Sequence, residues 1–89
     1  LQPYLEIFQL EGNQMSKIVV YSKNMCGYCV KAKSVLKNKG LDFEEINIEE
    51  KPEAREFVIN EGHRTMPQIY IDGKSIGGYN ELLKYVDTL

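Results

Sequence analysis

Two cysteines and one histidine are the only sulfhydryl and imidazole side chains in this 89-residue chain. That scarcity excludes a good deal. Tetrahedral zinc sites usually take four protein ligands, and Cys26, Cys29 and His63 would have to be completed by scattered carboxylates. The cysteine density is far below that of a secreted scaffold, and a bridge between Cys26 and Cys29 closes a loop too short to remove much chain entropy. Excess positive charge is also missing: 11 Lys and Arg stand against 13 Asp and Glu, a formal net charge of −2. Binding to nucleic acid or to an anionic membrane needs a basic face, so neither is expected. No apolar run approaches the roughly 20 residues that span a bilayer. Residues 1–14 contain no Lys or Arg and place Glu6 and Glu11 inside any apolar stretch, which is unlike a secretory signal. A reducing, cytoplasmic setting is expected.

What is present has the composition of an ordinary globular chain, 43% hydrophobic, of a size that makes one domain with a modest core. The expected division is an N-terminal extension at 1–14, native or added, and a domain at 15–89, because Met15-Ser16-Lys17 runs straight into the first strand. Leu1, Tyr4, Leu5 and Phe8 share a helical face, so the extension is expected to form a short helix or turn docked by apolar contacts.

From Lys17 the pattern is regular. Residues 17–21 read as a buried strand and 27–39 as a helix stopped by Gly40. Phe43 to Ile48 alternate well enough for a second strand, with Glu44, Ile46 and Ile48 on one face. Pro52 opens a helix over 52–61, with Ala54, Phe57 and Val58 as its apolar stripe and Gly62 as its stop. Gln68 to Ile71 and Lys74 to Ile76 read as a hairpin turned by Asp72-Gly73. A last helix is expected over 80–88. The order β-α-β-α-β-β-α makes the first two strands parallel and the last two antiparallel, hence a mixed sheet. Helices 27–39 and 80–88 are expected on one face and 52–61 on the other.

Cys26-Gly27-Tyr28-Cys29 therefore lies on the turn from the first strand into the first helix. Unpaired N–H groups at a helix start carry partial positive charge and stabilise a thiolate there. A lone C-x-x-C is open to three readings: half of a zinc site, a structural disulfide or a redox dithiol. Beside a βαβ pattern it is the signature of a thioredoxin-like redox motif.

Three stretches carry a more specific likeness: Tyr-Ser-Lys-Asn-Met-Cys-Gly-Tyr-Cys at 21–29, Arg-Thr-Met-Pro-Gln-Ile-Tyr-Ile-Asp-Gly at 64–73, and Ile-Gly-Gly-Tyr-Asn-Glu-Leu at 76–82. In these, and in their order and spacing over 17–89, the chain resembles the glutaredoxins. The resemblance implies a thioredoxin-like three-layer α/β fold, a four-stranded mixed sheet flanked by three helices. It also implies a glutathione-dependent thiol–disulfide oxidoreductase acting on protein disulfides and glutathione mixed disulfides. Two departures are visible. Gly27 stands where proline is commonest, which loosens the turn and restores an N–H, and Glu81 stands where the family often has Asp.

Cys26, ahead of the helix and exposed, is expected to be the nucleophile; Cys29, one turn in and partly buried, the resolving thiol. A free thiol of pKa about 8.5 is only about 3% thiolate at pH 7. Lowering that pKa gains little in attack, because nucleophilicity falls with it; the larger benefit is a better leaving group when the mixed disulfide is resolved. Lys23 is placed to add positive charge near the sulfur and to meet a glutathione carboxylate, and Tyr28 to shape the groove. Thr65-Met66-Pro67 resembles the family's cis-proline loop. On sequence alone an X–Pro bond is expected trans; the resemblance reverses this and offers the Met66 backbone to the ligand as an added strand. Gly78, Tyr79, Asn80 and Glu81 open the last helix, where the resemblance places the γ-glutamyl carboxylate, with helix capping by Asn80 as the plainer role. Arg55 reads as a solvated helix residue within reach of the glycyl carboxylate, and His63 as a surface residue.

Two alternatives remain. One is a dimer in which Cys26 of each subunit and two glutathiones hold a [2Fe–2S] cluster, no other metal being expected. The other is a thioredoxin-like hydrogen donor to one reductase. The expected partners are glutathione and disulfide-containing or glutathionylated proteins, with the chain a monomer unless a cluster is bound.

Overall fold

The computed structural model describes residues 16–89, so the expected docked helix at the N-terminus lies outside the described residues. Its elements are β1 (Ile18–Ser22), α1 (Gly27–Asn38), β2 (Glu44–Asn47), α2 (Pro52–Asn60), β3 (Gln68–Ile71), β4 (Lys74–Gly77) and α3 (Tyr79–Tyr85), with a 3₁₀ turn at Val86–Thr88. The sheet runs β2-β1-β3-β4. β1 pairs parallel with β2, Val19 opposite Glu44, and antiparallel with β3, Ile18 opposite Ile71. This is the thioredoxin-like mixed sheet expected from the element order.

Being central, β1 is covered on both faces. Ile18 and Val20 pack with Ile69 against Ala32 and Leu36 of α1 and Leu82 of α3, and Val20, Leu36, Ile69 and Leu82 are wholly shielded from solvent. Ala32 and Leu36 recur four residues apart, one helical face, with Cys29 at its N-terminal end. The opposite face holds an aromatic cluster. Tyr21 of β1, Phe57 of α2 and Tyr70 of β3 have ring centroids 5.4–5.5 Å apart. Burial, and then a hydrogen bond to Glu61, raise the pKa of the Tyr70 phenol above its usual value. α2 thus covers the face away from α1 and α3, as expected.

Both long helices stop as the sequence indicates. Gly40 takes φ +70°, its N–H donates to Lys37 O at 3.0 Å and that of Leu41 to Leu36 O at 3.0 Å. Gly62 takes φ +88°, with Gly62 N–H to Ile59 O at 2.9 Å and His63 N–H to Val58 O at 3.0 Å. Both are Schellman closures, in which a left-handed residue turns the chain back onto its last free carbonyls. Asp72 and Gly73, both at positive φ, form the tight β3–β4 turn.

Several boundaries shift by a residue: β1 runs Ile18–Ser22 instead of 17–21, α1 and α2 stop at Asn38 and Asn60, and β4 reaches Gly77. The second strand keeps four residues, Glu44–Asn47: Phe43 lies ahead of the ladder, and the last ladder bond runs from the Ile48 N–H to Ser22 O at 2.9 Å before the chain turns. The last helix starts a residue early and tightens into 3₁₀ form at Val86, whose side chain is buried. Among the described residues no helix is long and apolar enough to cross a membrane.

Leu36→Ala should lower unfolding free energy by about 3 kcal/mol, the usual loss when a buried leucine leaves a cavity; urea denaturation checks this as a lower midpoint at unchanged slope.

Candidate functional site

The end of β1 and the start of α1 set the site. Ser22 is buried, and its hydroxyl donates to Glu45 Oε2 at 2.8 Å, which also takes Lys33 Nζ at 2.8 Å. These hydrogen bonds, Lys33 first, hold the Glu45 carboxyl below its usual pKa. Lys23, Asn24 and Met25 then form a three-residue loop. Cys26 follows with extended backbone, φ −121° and ψ 102°, as the N-cap of α1.

At that cap sulfur does the work that a serine or aspartate oxygen usually does. The Cys29 N–H points at Cys26 Sγ from 3.1 Å. α1 carries no acidic residue in its own first turn to offset the positive end of the helix beside this sulfur. Cys26 and Cys29 are joined as a disulfide with Cα atoms 5.2 Å apart. Cys26 is half-exposed, whereas Cys29 lies on the core face at 2% exposure. The asymmetry expected of the pair is present in their burial.

The Met66–Pro67 bond is cis, as the resemblance implied and composition alone did not. The Met66 carbonyl oxygen lies 3.6 Å from Cys26 Sγ. Gln68 braces this loop: its side chain is buried and its Nε2 donates to Thr65 O at 2.9 Å. The sequence marks Gln68 only as the first residue of a strand; this bond, three residues back along the chain, depends on the conformation of the loop.

Met66 divides two clefts. The first, of about 540 Å³, is lined by Tyr28, by Thr65 through Gln68 and by Gly77 through Glu81. It therefore gathers Tyr28, Thr65, Met66, Pro67, Gly78, Tyr79, Asn80 and Glu81, residues from three separate stretches. Tyr28 and Tyr79 face each other across 5.6 Å between ring centroids, and Lys31 Nζ sits 5.0 Å from the Tyr28 centroid. The second cleft, of about 670 Å³, holds Lys23 with Arg55, His63 and Arg64. Lys23 is thus separated from the other candidates by Met66, and Arg55, exposed on α2, also lines the second cleft. His63 is not a free surface residue. The Schellman turn directs it back over the sheet, half-buried, with Nε2 2.9 Å from the Tyr70 hydroxyl.

The expected cap at Asn80 is not formed. Gly78 is the N-cap, and Glu81 reaches back so that Oε1 accepts the Gly78 N–H at 2.8 Å. That hydrogen bond is the first cause of a lowered Glu81 pKa. It also accounts for Gly77, which takes φ +112° where the β4 ladder is irregular. A Cβ there would come within 2.6 Å of Glu81 Cγ. Only glycine allows the carboxylate to fold over this turn.

The glutaredoxin family model matches residues 18–76. A glutaredoxin of Pseudomonas aeruginosa is 42% identical over 69 residues, covering 76% of this chain and 82% of that protein. Glutaredoxin 3 of Escherichia coli K12 is 41% identical over 69 residues, with 76% and 83% covered. Among solved structures, NrdH-redoxin of Escherichia coli, a glutaredoxin-like protein with a thioredoxin-like activity profile, superposes with TM-score 0.72 at 32% identity, over 82% of this chain and 93% of that one. A buckwheat glutaredoxin in complex with glutathione gives TM-score 0.69 at 27% identity, over 82% and 70%.

Two changes test the cap. Gly77→Ala should destabilise the fold by about 1–3 kcal/mol, since it adds both left-handed strain and a clash. For Glu81, whose folded pKa is depressed below 4.5, the stabilisation is full above that value and lost as pH falls through the lower folded pKa. Melting temperatures of the wild type and Glu81→Gln should therefore differ most near neutrality and converge in acid.

Proposed function

This chain belongs to the glutaredoxin family, and on that premise we propose that it is a glutathione-dependent reductant of protein disulfides and glutathione mixed disulfides. Membership makes it a thiol–disulfide oxidoreductase. The observation that carries the finer reading is the position of Cys26: an N-cap sulfur, half-exposed, receiving the Cys29 N–H and facing Met66, the residue between the two clefts.

In this reading the Cys26 thiolate attacks a substrate disulfide. With a glutathionylated protein it takes the glutathione sulfur, and the protein leaves as a thiolate. A second glutathione then attacks the mixed disulfide, releasing glutathione disulfide and regenerating Cys26. With a protein disulfide, Cys29 attacks instead, closing the Cys26–Cys29 bridge, and two glutathiones reopen it. The helix N-terminus favours Cys26 as leaving thiolate in each resolution.

Glutathione is assigned to the clefts on either side of Met66. Its cysteinyl backbone pairs with Met66 beside Thr65 and Pro67, and its γ-glutamyl end lies along Gly78, Tyr79, Asn80 and Glu81, under Tyr28. Its glycyl carboxylate turns toward Lys23. Glu81, already engaged by Gly78, contributes negative charge to the glutamyl ammonium through its second carboxylate oxygen. The chain is assigned to a reducing compartment, the cytoplasm, as a monomer.

A second reading is a hydrogen donor served by thioredoxin reductase, which the likeness to NrdH-redoxin favours. For the cluster alternative one chain supplies Cys26 Sγ as a single ligand. Among the described residues no group of three or more His, Cys, Asp or Glu side chains is arranged to hold a metal. A cluster would therefore draw on a second copy and on glutathione, and no observation favours that arrangement.

Reduction of the oxidised pair by glutathione with glutathione reductase, and not by thioredoxin reductase, is the expected outcome; the reverse preference overturns the proposal. Cys26→Ser should abolish turnover of a glutathione mixed disulfide, while Cys29→Ser should retain it and lose reduction of protein disulfides.

A further inference from the structure

Met25, one residue before Cys26, combines three features that packing does not explain. Its φ is +53°, a left-handed conformation that a residue with a Cβ adopts only at a cost. Its side chain is fully exposed, at 102%, so it gains nothing from burial. And the loop that carries it is tied down.

That tie is a closed ring of hydrogen bonds. The Glu49 carboxylate accepts the Asn24 N–H at 3.0 Å and Asn24 Nδ2 at 3.2 Å. Asn47 Nδ2 donates to Asn24 Oδ1 at 2.9 Å, and Asn47 Oδ1 accepts the Glu49 N–H at 2.8 Å. The ring fastens the loop to the end of β2, so the backbone at Met25 is imposed by its neighbours while its side chain stands free. Strain over-determined by its surroundings in this way is characteristic of binding and catalytic positions.

Met25 lines neither cleft. A ligand confined to the clefts leaves its side chain untouched, whereas a partner large enough to cross the rim beside Cys26 meets it. Methionine, flexible and polarisable, adapts to apolar partners of different shape.

We propose that Met25 is the contact residue for protein disulfide substrates, receiving an apolar side chain of the substrate segment next to the attacked cysteine, and that Asn24, Asn47 and Glu49 are positioning residues that hold it out. This rests on the assignment of Cys26 as nucleophile and deepens it. During contact Cys26 Sγ bonds to one substrate sulfur and the other leaves as a thiolate that takes a proton from water. The Cys29 thiolate then displaces the first, so two electrons pass from the dithiol to the substrate disulfide.

The test compares insulin, as the protein disulfide, with the mixed disulfide of cysteine and glutathione, both assayed with glutathione and glutathione reductase. Met25→Gly and Met25→Asn both accept positive φ and remove the apolar contact. Each should raise KM for insulin by about five- to tenfold, the size of an ordinary interface contact, with kcat and the small-substrate kinetics unchanged and melting temperature equal or higher. Asn24→Ala, which opens the ring, should show the same selective rise in KM. Unchanged insulin kinetics in both Met25 variants overturn the proposal, and so does a parallel loss on both substrates, which would place the effect on Cys26 itself. A wild type inert with glutathione but active on insulin with thioredoxin reductase counts against the glutathione reading alone; the insulin comparison is then read with that reductase, with the same expectation.

Discussion

The hydrogen bond from the Cys29 N–H to Cys26 Sγ, 3.1 Å long, is the interaction around which the molecule is arranged. It places the sulfur at the N-cap of α1, where an oxygen ordinarily sits, and so directs the helix's positive end at the atom that must carry negative charge. The geometry requires β1 to deliver the chain at the centre of the sheet and α1 to start within a few residues. It also requires the first helical turn to carry no carboxylate, which it does not. Ile18, Val20, Ala32 and Leu36 keep β1 and α1 in contact, and thereby keep the cap aimed.

The second constraint is the loop that faces the sulfur. Gln68 braces that loop through its bond to Thr65, and the Met66 carbonyl lies opposite Cys26. Met66 becomes the divider between a cleft walled by Tyr28 and Tyr79 and another carrying Lys23, Arg55 and Arg64. The first presents aromatic faces, backbone and the Glu81 carboxylate; the second carries three cationic side chains together with Glu49. The proposed binding of glutathione, with its ammonium toward Glu81 and its glycyl carboxylate toward Lys23, uses both sides of this divide.

Much of this was legible in the chain because it depends on local rules. Gly40 and Gly62 announce their helix ends through a conformation other residues resist, and Asp72-Gly73 announces a hairpin for the same reason. The redox pair, the Thr-Met-Pro loop and the Gly-Gly-Tyr-Asn-Glu segment were recognisable as motifs. The role of Glu81 was not: reading back to the Gly78 N–H and packing over Gly77 are consequences of where α3 begins. His63 was misjudged for a similar reason, since its partner Tyr70 lies across the sheet surface from the turn that carries it.

By itself the sequence determined the element order, the helix stops, the tight turn and a dithiol at a strand-to-helix junction, because each follows from backbone preferences or spacing within a few residues. Tertiary structure decided the rest. It made the proline bond cis and set Met66 between two clefts. It buried Cys29 while leaving Cys26 open, and it closed Asn24, Asn47 and Glu49 into a ring beneath an exposed Met25. These outcomes depend on contacts between residues more than twenty positions apart, brought together by the parallel pairing of β1 with β2 and the antiparallel pairing of β1 with β3. No local propensity encodes such contacts.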